Sequence, residues 1–190
     1  SMPDPEHYYL VERGPLALIV LDSDLDPFQP VVPGDRARGA EQLRWLLDTL
    51  RELRERSSPP AWTIVAQHHP VFGDHGMEPR AAALYQKIFD IYDIDLLLMG
   101  HLHTAAQGKQ LQGGRLIEPE DPHELRRADG MLQIVQGGGG RGLQAEPSEA
   151  DWLVWDRPRH GFCAVRVTPS ALVVVWTGEG GHPWEWVRVR

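Results

Sequence analysis

The chain has 190 residues, 42% hydrophobic and 24% charged, an ordinary globular composition that excludes wholesale disorder, collagen-like repeats and a disulfide scaffold. Nineteen Lys and Arg against 27 Asp and Glu leave a net charge of −8, so no overall field draws the molecule onto nucleic acid or an anionic membrane. With a single cysteine, Cys163, neither an intramolecular disulfide nor a thiolate cluster can form, and any metal would have to be held by imidazole and carboxylate.

A chain of this length buries roughly 70% of the surface it exposes unfolded, enough for a sizeable core. No apolar run approaches the roughly 18 residues that a membrane-spanning helix needs. The N-terminus shows no signal-peptide pattern, and Ser1-Met2 reads as a residue left by tag removal followed by an initiator methionine. Localisation is left open.

From Tyr8 two extended segments are expected, Tyr8 to Val11 and Leu16 to Leu21, with Gly14-Pro15 as the turn between them. The second is apolar on both faces, which places it inside a sheet covered on both sides. A polar, proline-rich loop runs from Asp22 to Gly34. Apolar residues then recur at Ala40, Leu43, Leu46, Leu47, Leu50 and Leu53, the period of an amphipathic helix over 38–56. Trp62 to Ala66 reads as a strand ending at Gln67-His68-His69-Pro70, and a helix follows over Arg80 to Tyr92. Asp95 to Met99 is a further strand, ending at Gly100-His101-Leu102-His103. This alternation is that of an α/β sandwich, with polar residues gathered where the strands end.

Between Gln107 and Gly130 apolar residues thin out, which predicts a long surface loop with at most one short hairpin. Met131 to Val135 is a strand running into Gly137–Gly140, and Phe162 to Val167 with Leu172 to Thr177 forms a hairpin. Most of the seven tryptophans fall at core positions, whereas Trp184-Glu185-Trp186 is less easily buried.

Five of nine histidines fall within 36 residues: His68, His69, His75, His101 and His103. Imidazole is the commonest neutral metal ligand, and a His-x-His pair leaving a strand points both rings toward one side. His7, His123, His160 and His182 read as surface residues. Asp22, Asp24 and Asp26 imitate a calcium loop, but Pro27 and Pro33 occupy the positions that need Gly and Glu. They read as an acidic loop capping a strand. The glycine run offers backbone N–H groups to an anion or forms a tight turn, and Cys163 reads as buried filler.

Gln67-His68-His69-Pro70-Val71-Phe72 followed by Gly100-His101-Leu102-His103 resembles the C-terminal half of the calcineurin-like metallophosphoesterases, especially their purple acid phosphatase-like branch. Leu18–Ser23, Gln42–Leu46, Asp74-His75-Gly76 and Val135–Gly140 extend the resemblance over about Tyr8 to Thr177. It implies the C-terminal part of an αββα sandwich, mixed sheets flanked by helices, as a single domain over 1–190. By resemblance His68 and His101 ligate one metal and His103 another. His75 and His69 then contact substrate phosphate or orient ligands. The family uses two ions of manganese, zinc or iron to hydrolyse phosphate mono- or diesters.

Three motifs that carry the family's other ligands are absent: an Asp-x-His, a Gly-Asp-x-x-Asp or -Tyr step, and a Gly-Asn-His step. The chain contains no Asn at all. The expectation is that the family's N-terminal half is missing and that a dinuclear site is weak, since little offsets repulsion between two cations. Two alternatives stay open, a non-catalytic scaffold or binding domain and a mononuclear site of His68, His101 and His103. If part of the sandwich is missing, its uncovered apolar faces predict dimerisation or strand exchange.

Overall fold

The computed structural model describes residues 4–25, 27–28, 35–73 and 76–190. Two sheets pack face to face, and two helices cover the outer face of the larger one. The large sheet opens with the hairpin of β1 (Tyr9–Arg13) and β2 (Leu16–Val20). After α1 (Asp35–Glu55), β3 (Trp62–Ala66) pairs parallel to β2, and after α2 (Pro79–Ile91), β4 (Leu96–Met99) pairs parallel to β3.

The chain then makes β5 (Ala105–Gln112), β6 (Arg115–Ile117) and β7 (Glu124–Leu125), with a single 3₁₀ turn at Arg127–Asp129, before β8 (Met131–Gln136) pairs parallel to β4. The spatial order is β1-β2-β3-β4-β8-β5-β6, with β9 (Leu153–Arg157) on β5. The small sheet holds β10 (Gly161–Thr168), β11 (Ala171–Gly178), β12 (Pro183–Val189) and β7. This is a mixed α/β sandwich, as the sequence predicts.

Along the central strands successive apolar side chains alternate between two cores, Leu97 and Met99 of β4 on the helix side and Leu96 and Leu98 between the sheets. In β2, Ala17 and Ile19 face the helices, packing with Leu46 and Leu50 of α1 and Tyr85 and Phe89 of α2. Leu16 and Leu18 face the other way, into the core between the sheets, with Trp62, Ile64, Leu172, Val174 and Trp176. Glu78 caps α2, its carboxylate accepting from the N–H groups of Arg80 and Ala81. No helix among the described residues is long and apolar enough to cross a membrane.

The short hairpin allowed for in Gln107–Gly130 is present as β5 and β6, but the expectation that the rest is a surface loop is overturned. That stretch holds most of β5, all of β6 and β7, and the 3₁₀ turn. Its composition hides a buried strand because glutamines stand where apolar residues were sought. Gln107 and Gln110 are buried and their amides are satisfied, Gln107 by donating to Pro122 O and Gln110 to Arg126 O and Gly130 O. Gly108 lets Trp152 lie against the strand, since a Cβ there would stand 3.0 Å from the indole. Strands β9 and β12 were not anticipated either. Trp184 is half-buried against the core between the sheets, its ring 5.7 Å from Trp155, while Trp186 is 39% exposed.

Candidate metal centre

Strands β2, β3, β4 and β8 are mutually parallel, so their carboxyl ends lie along one edge of the sheet, where such folds collect chemistry. Each contributes to one cleft of ≈ 840 Å³: Asp24 after β2, His68 and His69 after β3, His101 and His103 after β4, and Gly137, Gly139, Gly140 and Arg141 after β8. Backbone bonds draw the loops together. Gly100 N donates to His68 O (2.9 Å), and Gly137 N donates to Thr104 O (2.9 Å). Gly137 must be glycine, because a Cβ there would meet Leu102 O at 1.9 Å.

Within the cleft His68, His69 and His101 each offer a ring nitrogen, all within 4.8 Å of one another. His101 Nδ1 lies 3.2 Å from His68 Nε2. With metal–nitrogen bonds of about 2.0–2.1 Å, two imidazoles on one ion stand about 3.0–3.4 Å apart, so this pair fits a shared ion. His101 has φ +63, a left-handed backbone that a β-carbon disfavours.

The His69 ring is fixed from behind. Ser23 Oγ accepts from the His69 backbone N–H at 3.0 Å and lies 2.9 Å from ring Nδ1, while Asp24 Oδ1 is 3.7 Å from the same nitrogen. With the proton on Nδ1 and donated to Ser23, Nε2 presents a lone pair. Burial holds the His69 imidazole below its usual pKa, helped by His68 and opposed by Asp24 and Asp22, which favours the neutral, ligating form.

The Ser23 loop is pinned in turn by α1. Gln42, 1% exposed, accepts from Asp22 N and donates to Asp22 O, both at 2.9 Å. Asp22 Oδ1 accepts from Asp24 N, and Oδ2 lies 2.6 Å from His7 Nδ1.

Of the residues singled out from sequence, the structure brings His68, His69 and His101 together. His103 lines the same cleft but is outside that tight group, and His75 lies outside the described residues. His7, read as a plain surface residue, holds the acidic loop. Ser23, Asp24 and Arg141 were not assigned to the site; their one sequence signal was position just past a parallel strand. Cys163 takes no part, and burial pushes its thiol up to about 11.

A sheet between helices and a second sheet, with imidazoles converging at the ends of parallel strands, defines an α/β sandwich of the kind that holds metal ions. The chain belongs to the calcineurin-like phosphoesterase family, whose model matches residues 6–105.

An uncharacterized protein of Mycobacterium tuberculosis is 29% identical over 171 residues, covering 80% of this chain and 30% of that protein. The probable inactive purple acid phosphatase 27 of Arabidopsis thaliana is 24% identical over 138 residues, covering 67% and 22%. Purple acid phosphatase from yellow lupin seeds shares the fold, with a TM-score of 0.77 at 17% identity over 96% of this chain and 32% of that one. The chain therefore spans less than a third of these relatives.

Proposed function

We propose that the cleft binds a transition-metal ion of the manganese, zinc or iron class through His68, His69 and His101 and engages a phosphate ester there. The observation that supports it is the convergence of three imidazoles from two strand ends, in a chain of a metal-dependent phosphoesterase family. A bound ion supplies Lewis-acid polarisation of a phosphoryl oxygen and a more acidic water.

The chain's own groups do the rest. Neutral imidazoles leave the ion's charge available to a phosphate dianion. Ser23 and Asp24 orient His69 from behind. Arg141 and the Gly139–Gly140 backbone line the same cleft, and a guanidinium and backbone N–H groups are suited to the remaining oxygens of a bound phosphate. His103, on the same cleft, is the ligand left for a second ion.

A second reading, metal and phosphate binding without turnover, is favoured by the donor set among the described residues: their tight cluster is purely imidazole, and the one carboxylate they bring to the cleft, Asp24, lies beside His69. Elemental analysis after equilibration with manganese, zinc and iron tests the binding claim. About one ion per chain, lost in His68→Ala, is expected; no retained ion refutes it. Hydrolysis of bis-nitrophenyl and nitrophenyl phosphates by the loaded chain then separates turnover from binding.

A further inference from the structure

Among the described residues Phe162 is the most solvent-exposed large hydrophobic side chain, at 56%, although it is the second residue of a well-formed strand. Singly exposed apolar side chains are ordinary on a protein surface, so only position can make this one a contact site. Its surroundings say what kind. On one side Phe162 lines a recess of ≈ 370 Å³ together with His68, Gly100 and Gln136, residues that also line the histidine cleft. On the other side it lines a groove of ≈ 590 Å³ whose floor includes Gly139 and Gly140, shared with the same cleft. The ring therefore stands on the rim between the imidazoles and the groove.

That position is held by hydrogen bonds. Gly161 N donates to Gly138 O at 3.1 Å, Gln136 Nε2 donates to Gly161 O at 3.1 Å, and His160 Nδ1 lies 3.1 Å from Gly138 O. Phe162 itself pairs in register with Thr177. Glycines make up most of the groove's lining, with His160, Glu179 and Phe162 as its side chains. A Cβ built on Gly139, Gly140 or Gly181 would find nothing within 4 Å. The result is an open groove with Phe162 on its edge, joined to the cleft through Gly139 and Gly140.

We propose that Phe162 is a stacking platform for the leaving group of the ester bound at the histidine cleft, so that the substrate class is phosphate esters carrying a planar aromatic ring. The inference rests on the reading of the cleft as a phosphoester site. Ring-on-ring contact adds to area burial and is geometry-specific, so a flat ring gains what a puckered one of equal or greater hydrophobicity does not.

The test uses the full metal-loaded chain and three probes in calorimetric titrations: inorganic phosphate, benzylphosphonate and cyclohexylmethylphosphonate. The wild-type chain is expected to bind benzylphosphonate roughly 2- to 13-fold more tightly than its cyclohexyl counterpart. Phe162→Ala should bring the ratio to about one, and Phe162→Trp should preserve it. Cyclohexyl is the more hydrophobic group, so simple burial predicts the opposite order. Phosphate binding with equal phosphonate affinities in the wild-type chain, or a ratio unchanged in Phe162→Ala, overturns the platform. Failure of phosphate itself to bind overturns the phosphoester reading and takes the platform with it.

Discussion

His101 sets a backbone cost against a ligand. Its φ of +63 costs a residue with a β-carbon about 1–2 kcal/mol. Glycine relieves that strain but returns about 0.4–1 kcal/mol through the larger freedom of the unfolded chain. Without metal, His101→Gly should therefore be more stable than His101→Ala by roughly 0.5–1 kcal/mol, about 2–3 °C in a chain of this size.

With metal the order of the wild type and variants changes. An ion at 100 times its dissociation constant stabilises the wild-type chain by about 2.7 kcal/mol. If losing one of three donors weakens binding about 100-fold, as removal of a ligand's supporting partner alone can, the same concentration stabilises either variant by only about 0.4 kcal/mol. Thermal melts of the three proteins, each with chelator and with added zinc or manganese, read both effects. Equal metal-induced shifts in all three would show that His101 is no ligand, and a glycine variant no more stable than the alanine one would remove the strain argument.

At the far end of β4, Asp95 is buried, its side chain 3% exposed, and accepts from Thr63 N at 2.7 Å and from Arg127 Nε at 2.5 Å and Nη2 at 3.1 Å. Asp95→Ala should cost about 3 kcal/mol, the low end for a broken buried pair because Arg127 is half exposed and rehydrates, and Asp95→Asn about 1 kcal/mol. Burial raises the Asp95 carboxyl above its ordinary value, against the Thr63 N–H and Arg127, which lower it. The folded state thus holds the proton more tightly than the unfolded one. The contribution is complete below the ordinary carboxyl range and is lost as pH rises through the raised value. Urea unfolding should show the wild-type advantage over Asp95→Asn largest in acid and narrowing toward neutrality; a gap that widens refutes the sign. Gly137→Ala must push Leu102 away and should cost at least about 2 kcal/mol and reduce metal uptake, whereas Gly139→Ala, with open space around it, should change stability by less than about 0.5 kcal/mol. Melting and elemental analysis check the contrast, and equal losses would refute the close-approach argument.

Where residue type and period agree, the sequence is readable. Leu16–Leu21 is apolar on both faces because both faces are covered, and the α1 leucines repeat because one face of that helix meets the sheet. His68, His69 and His101 were legible because imidazoles at strand ends are few and chemically distinctive. Strand β5 was not, since its glutamines are buried by hydrogen bonds to partners at sequence separations of 15 to 20 residues, which no local pattern encodes.

The sequence by itself determined the family, the parallel core strands and the histidines available as donors, because these depend on residue identity and local period. Tertiary structure alone decided which donors meet. His69 joins the tight group and His103 does not, because Ser23 and Asp24 from another strand end hold the His69 ring and the Gly137–Leu102 contact sets the path of the loop carrying His101 and His103. Distances across four parallel strands follow from packing, and packing is a property of the whole chain.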